Sequence, residues 1–215
     1  MKMEVKNWTI TTYKGIPAMT PGFVHEYLTT IGKGWTGKGI AVELGSWLGG
    51  TAAPLMEGLE KAGYNRTFYM FDRWSATDEQ VLKAKSQGVN LYVNENTMGI
   101  CKKNLPEVSF GTHMTRGNLP GTLSRANIRQ PIEICVFDAP KSNPVFSRCM
   151  EWAIQRAIPG VTIFGLLDYY FYKYAGSDRE AKYRVQVEYM ENNRRFELLQ
   201  DWGGLCDCAF FKFIK

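Results

Sequence analysis

The chain has 215 residues, 45% of them hydrophobic and 22% charged, which suits one globular domain with one core. Its 26 basic and 21 acidic residues leave a net charge of +5 spread along the sequence, without a basic tail of the kind that binds nucleic acid. No window approaches the ~20 apolar residues of a membrane span, and the opening MKMEVKNWTITTYKG lacks the apolar stretch of a secretory signal, so a cytoplasmic protein is expected.

In chain order, residues 1–36 read as an N-terminal helical lid or cap, with IPAMTPGFVHEYL (16–28) as its helix and Tyr13, His25 and Tyr27 as candidate ligand contacts. Residues 37–215 read as the core of the same single domain. There, apolar runs of strand length recur at GIAVEL (39–44), TFYMFD (67–72), EVSFGT (107–112), EICVFD (133–138) and VTIFGLLD (161–168). Helix-like stretches fill 50–62, 77–87, 96–105 and 143–157. Such alternation predicts a parallel sheet covered on both faces, with right-handed crossovers. RFELLQ (195–200), a DWGGL turn and CDCAFFKF (206–213) predict a closing antiparallel hairpin.

The five cysteines, at 101, 135, 149, 206 and 208, are odd in number, and Cys135 falls inside an apolar run where a buried thiol is the usual finding. Cys206 and Cys208 share a strand face, but with only His25 and His113 as imidazoles a zinc set is not expected.

The stretch AVELGSWLGGT (41–51) places three glycines where the first core strand hands over to a helix. Glycine admits φ > 0 and close approach to the backbone, and doubly wound sheets bind ligands beyond the carboxyl ends of their strands. The order Glu43-x-Gly45-x-x-x-Gly49-Gly50 differs from the G-x-G-x-x-G of a dinucleotide site. A carboxylate beside the loop repels a pyrophosphate and suits a ligand with an ammonium group, such as S-adenosylmethionine. Asp72, 22 residues beyond Gly50 at the end of TFYMFD, stands where an acid accepts hydrogen bonds from both ribose hydroxyls of a nucleoside.

VELGSWLGGTAAPLMEGLEKAG followed by YMFDRW resembles the class I S-adenosylmethionine-dependent methyltransferases, most closely the branch that includes the macrocin-type O-methyltransferases. The resemblance runs from about residue 16 to the end, through SFGTHMTRGNLP (109–120), the strand ending in Asp138, Pro159-Gly160, Asp168-Tyr169-Tyr170 and the closing hairpin. It implies an α/β Rossmann-like three-layer sandwich whose mostly parallel seven-stranded sheet has the order 3-2-1-4-5-7-6. It also implies that Glu43, Gly45, Ser46, Trp47, Gly49, Gly50 and Thr51 surround the methionine end of the cofactor and that Asp72 takes the ribose. Thr112 and His113, just after the expected third strand, would face the adenine, a solvated loop being the other reading. Trp74 would stack on adenosine or acceptor, or simply pack.

The departures concern the metal. In the macrocin-like branch the fourth strand ends in Asp-Gly-Asp and the fifth in an acid pair before Tyr, together forming a magnesium site. Here the same places read Asp138-Ala139-Pro140-Lys141 and Leu167-Asp168-Tyr169. Two acids are a thin set for a hard cation, and Lys141 adds a positive charge, so a requirement for Mg²⁺ is left open. Methyl transfer needs alignment, a proton acceptor and exclusion of water. Asp138 or Asp168 would serve as base toward a hydroxyl, with Lys141 stabilising the developing oxyanion. Asp138 as a cap for a helix starting near Asn143-Pro144 is the plainer alternative.

The expected function is methyl transfer to an oxygen of a small-molecule or sugar acceptor. Nucleic acid is the weaker alternative, because Asp138-Ala139-Pro140-Lys141 lacks the aromatic that stacks on a flipped base and residues 177–195 alternate in charge like a solvated helix face. A domain that binds the adenosyl cofactor without turnover is the third reading, favoured by Leu167. A homo-oligomer is compatible with all three.

Overall fold

The computed structural model describes residues 12–174 and 177–215, so the first eleven residues of the expected N-terminal cap lie outside the described residues. A short antiparallel hairpin, β1 (Thr12–Tyr13) and β2 (Ile16–Pro17), precedes α1 (Gly22–Lys33). The alternating core follows as β3 (Ile40–Leu44), α2 (Ala52–Lys61), β4 (Phe68–Asp72), α3 (Asp78–Ser86), α4 (Met98–Asn104), β5 (Thr112–Arg116), α5 (Gly121–Arg125), β6 (Ile132–Phe137), α6 (Val145–Ile154) and β7 (Ile163–Leu166). A 3₁₀ turn at Phe171–Tyr174, α7 (Ser177–Tyr183), α8 (Val185–Glu191), β8 (Phe196–Asp201) and β9 (Ala209–Phe213) complete the chain.

The large sheet has seven strands in the order β5-β4-β3-β6-β7-β9-β8. Counted from β3, that is the expected 3-2-1-4-5-7-6, with β9 antiparallel to both β7 and β8. Every residue of β3 and β6 is buried, because helices cover both faces and alternate side chains enter different cores. Val42, Leu44, Cys135 and Phe137 pack toward Phe146 and Met150 of α6 and Met190 of α8. Ala41, Ile134 and Val136 pack toward Leu28 of α1 and Leu55 and Leu59 of α2.

Two expectations are corrected. The third core strand begins at Thr112, where the sequence reading had it end: Phe110 is a buried anchor against Tyr64, at 4.8 Å between rings, and precedes the strand. β5 is an edge strand with mostly half-exposed or exposed side chains, so it carries little apolar signal. The N-terminal cap is a hairpin followed by a helix that starts at Gly22, and Lys14 Nζ ties the hairpin to Glu57 of α2 at 2.7 Å.

All five cysteines are buried and free, and Cys135 is buried as its apolar run led us to expect. No helix among the described residues is long and apolar enough to cross a membrane.

Candidate active site

β3 ends in a fully buried acid. Glu43 Oε1 accepts the Thr51 hydroxyl at 2.7 Å, while Oε2 has no well-formed hydrogen bond. Burial pushes its carboxyl up to about 7, against the pull of the nearby Ser46 and Thr51 hydroxyls. The turn then climbs over β4: Gly45 N donates to Phe71 O at 2.7 Å, and the amides of Ser46 and Trp47 both donate to Asp72 Oδ2 at 3.0 Å. Asp72 Oδ1 accepts Trp74 N at 2.8 Å. Three backbone donors leave the carboxylate, with about four lone-pair sites, capacity for a further donor.

The glycines of the turn make room for the protein's own chain. A Cβ on Gly45 would stand 2.6 Å from Ala139 Cβ, and one on Gly50 2.6 Å from Ala18 Cβ, so the end of β6 and the segment after β2 press directly on the turn. Gly49 lies at φ +93° over Cys101 and Leu105.

β6 brings the second set of groups. Asp138 N and Ala139 N both donate to Leu44 O at 2.9 Å, fixing Asp138 beside the start of the glycine turn. Burial, then the charge of Asp168, hold the Asp138 carboxyl well above the ordinary range. Lys141 Nζ donates to Asp168 Oδ1 at 2.8 Å and lies 4.6 Å from the centre of the Phe171 ring. Burial works to lower the lysine's pKa, and the charges of Asp168 and Asp138 overcome it, so the amine stays above its usual range as an ammonium. Asp168 Oδ2 is buried without a partner. The structure thus brings Asp138, Lys141 and Asp168 together next to Glu43 and Asp72. Asp138 is not a helix cap: α6 starts behind Pro144 with no side-chain cap.

Other expected residues fall elsewhere. Thr112 and His113 pair with Phe68 and Tyr69 at the amino end of the sheet, because β5 starts where the reading had it stop. Their assignment to the adenine is therefore corrected; Thr115 and Arg116 occupy the carboxyl end of that strand. Trp74 is fully buried with its indole N–H donating to Thr115 O at 3.3 Å, which makes it a packing residue. His25 is buried, hydrogen-bonded to Thr20 at 2.8 Å, and burial lowers its pKa to about 4. Tyr13 stacks edgewise on that ring at 5.3 Å, and Tyr27 packs on Trp202 and Phe210 at 5.5 and 4.8 Å. Tyr27 thus holds the cap to the core, while Tyr13 and His25 pack within the cap.

One residue at the rim escaped the sequence reading. Asp207, between two cysteines that drew attention as thiols, precedes β9 and has a buried Oδ1 without a partner. Burial, then the Asp168 charge, raise its carboxyl to about 7. Only the antiparallel register of β7 with β9 puts it there.

The donor set bears differently on the two expected groups. Glu43 Oε2 and Trp47 Nε1 are buried and unpartnered at the turn, an acceptor and a donor that fit a ligand carrying both ammonium and carboxylate, as the methionine end of S-adenosylmethionine does. For Mg²⁺ the residues do not fit. The ammonium of Lys141 is bound to Asp168, Leu167 is buried and apolar where the macrocin-like branch has an acid, and among the described residues no group of three or more His, Cys, Asp or Glu is arranged to hold a metal. Clefts by Arg66 and Ser109, and by Lys38 and Glu133, open at the amino ends of the strands, away from these groups.

No protein-family model and no curated protein sequence matches the chain. Solved structures do. The O-methyltransferase from Bacillus cereus in complex with SAH is 17% identical, with 94% of this chain and 86% of that one covered and a TM-score of 0.55. The calicheamicin methyltransferase CalS11 is 14% identical, over 88% of this chain and 77% of that one, with a TM-score of 0.60. Cofactor-bound Rv0187 from MTB is 14% identical, over 92% and 83%, at 0.58. The chain therefore has the Rossmann-like fold of the class I S-adenosylmethionine-dependent methyltransferases.

Proposed function

We propose that the protein transfers a methyl group from S-adenosylmethionine to an oxygen of a small-molecule or sugar acceptor. The observation that carries this reading is the convergence of Asp138 and the Lys141–Asp168 ion pair on the glycine turn, with Asp138 N and Ala139 N both donating to Leu44 O at the turn's origin. Structures of the same fold include O-methyltransferases, one of them in complex with SAH.

When bound, the cofactor supplies a methyl carbon activated by its sulfonium. Glu43 would meet the ammonium and Asp72 a ribose hydroxyl, each with a carboxylate oxygen that still has bonding capacity. Asp138, once ionised, takes the acceptor's proton. Lys141 remains charged and faces the negative charge that develops on the acceptor oxygen. Acceptor-dependent release of S-adenosylhomocysteine, followed across a panel of phenols and glycosides, tests the reading. Cofactor binding without release against any of them would favour a binding domain instead.

A further inference from the structure

We propose that Gln186, on α8, is a positioning residue for Lys141: its side-chain amide fixes the loop that carries the lysine, so that the ammonium reaches both Asp168 and the acceptor oxygen. This rests on the methyltransferase reading above and adds to it a residue that acts only through another.

Lys141 stands on the loop between β6 and α6. Beyond the bonds of Asp138 N and Ala139 N to Leu44 O, the chain turns within three residues, with Lys141 N donating to Ala139 O at 2.8 Å across Pro140. Proline has no N–H, so its carbonyl is the backbone group by which this residue can be held. Gln186 Nε2 donates to that carbonyl at 3.1 Å, from 46 residues further along the chain. At the far end of the same lysine, Nζ meets Asp168 Oδ1 at 2.8 Å and lies 4.6 Å from the centre of the Phe171 ring. Asp168, Phe171 and Gln186 all belong to the connection between β7 and β8, which thus grips Lys141 by its ammonium and by its backbone.

The ion pair alone does not fix the lysine. The Lys141 side chain is 32% exposed, and an ion pair open to water is weak and spends the rotamer freedom of a long side chain. Asp138 and Glu79, on α3, also attract the ammonium, so a lysine on a loose backbone has other carboxylates to follow. Gln186, by contrast, is 1% exposed, and its neighbours Val187 and Met190 join the core with Phe146 and Met150 of α6. An amide is costly in such a place unless its bonds are made, and Oε1 has no partner. An apolar side chain of the same length would pack there without that penalty. What the amide adds is the bond to Pro140 O, which ties the turn to a helix seated in the core and sets the direction in which the lysine leaves the backbone.

NMR of the lysine ammonium groups, on protein loaded with S-adenosylhomocysteine, reads Lys141 directly, with its signal assigned by its absence from Lys141→Arg. The wild type shows slowed exchange of the Lys141 ammonium protons with water. In Gln186→Met, similar in length but without a donor, that exchange is about tenfold faster, the factor one hydrogen bond supplies, while affinity for S-adenosylhomocysteine is kept. Gln186→Asn, whose amide stops short of Pro140 O, gives the same result should the methionine variant fail to fold. Val187→Ala removes packing from the same helix and leaves the loop bond, so it lowers the urea midpoint without changing the signal. Unchanged Lys141 exchange in the Gln186 variants, with stability alone reduced, overturns the assignment, as does an equal change in Val187→Ala. Failure of the folded wild type to bind S-adenosylhomocysteine overturns the underlying reading instead.

Discussion

Asp72 Oδ2 accepts the amide of Trp47 at 3.0 Å, and Trp47 sits in the left-handed region at φ +40°. The end of the second core strand thus holds the turn after the first in a conformation that a bulky residue rarely adopts unaided. In the proposed function one carboxylate would both shape the turn and bind the ribose.

Asp72→Ala should therefore weaken S-adenosylhomocysteine binding by ~1–3 kcal/mol and also lower the stability of the ligand-free protein. Asp72→Asn keeps an acceptor for the amides, so it should spare more stability than affinity. Calorimetry and denaturant melts of both variants separate the two roles; full affinity in Asp72→Ala contradicts them.

Gly45 lies at φ +101°, and its Cβ position is closed by Ala139 and the carbonyl carbon of Asp138. Gly45→Ala is expected to cost ~1–3 kcal/mol from strain and overlap, even without ligand. Urea unfolding of the apo protein checks this, and an unchanged midpoint argues that the turn is loosely packed.

Glu43 is raised from the ordinary carboxyl range to about 7 by burial. Between pH ~4.5 and ~7 the folded protein then holds a proton that the unfolded chain has released, so this stabilising contribution is present at the acid end and is lost as pH rises through 7. Asp207 acts with the same sign. His25, lowered to about 4, acts oppositely, because below pH ~6.5 the unfolded chain takes a proton that the folded one refuses. Glu43→Gln keeps the Thr51 bond and removes the proton, so its stability should fall less than the wild type's between pH 5 and 7.5, by up to about 1.4 kcal/mol per pH unit. Parallel pH profiles for the two proteins contradict the assignment.

Burial, then the Asp168 charge, raise the Asp138 carboxyl well above its ordinary range, whereas Lys141 remains an ammonium. Turnover with an identified acceptor should rise with pH as Asp138 ionises, fall by ~10²–10⁴ in Asp138→Asn with little change in cofactor affinity, and survive EDTA. Loss on chelation with recovery on adding Mg²⁺ would show that Lys141 yields its place to a metal.

The central strands were legible because GIAVEL and EICVFD, mostly apolar, are buried on both faces, whereas the sheet order followed from the family resemblance. β5 was not, since THMTR is a half-exposed edge and the apolar signal belonged to Phe110, an anchor outside the strand. That five-residue slip sent Thr112 and His113 to the wrong end of the sheet. That Asp138, Lys141 and Asp168 share one cleft could be expected from sequence because they follow neighbouring parallel strands, whereas the Lys141–Asp168 ion pair could not. Asp207 could not, as its place depends on the pairing register of a hairpin, which composition does not specify. The three glycines pointed to something approaching the backbone, and at Gly45 and Gly50 that something is Ala139 and Ala18.

The most direct test of the account is a calorimetric titration of the purified protein with S-adenosylhomocysteine, in parallel with NADH. The account predicts saturable binding of one S-adenosylhomocysteine per chain, lost or weakened in Asp72→Ala, and no binding of NADH. Absence of S-adenosylhomocysteine binding by the folded protein, or tighter binding of NADH at the same turn, would contradict it.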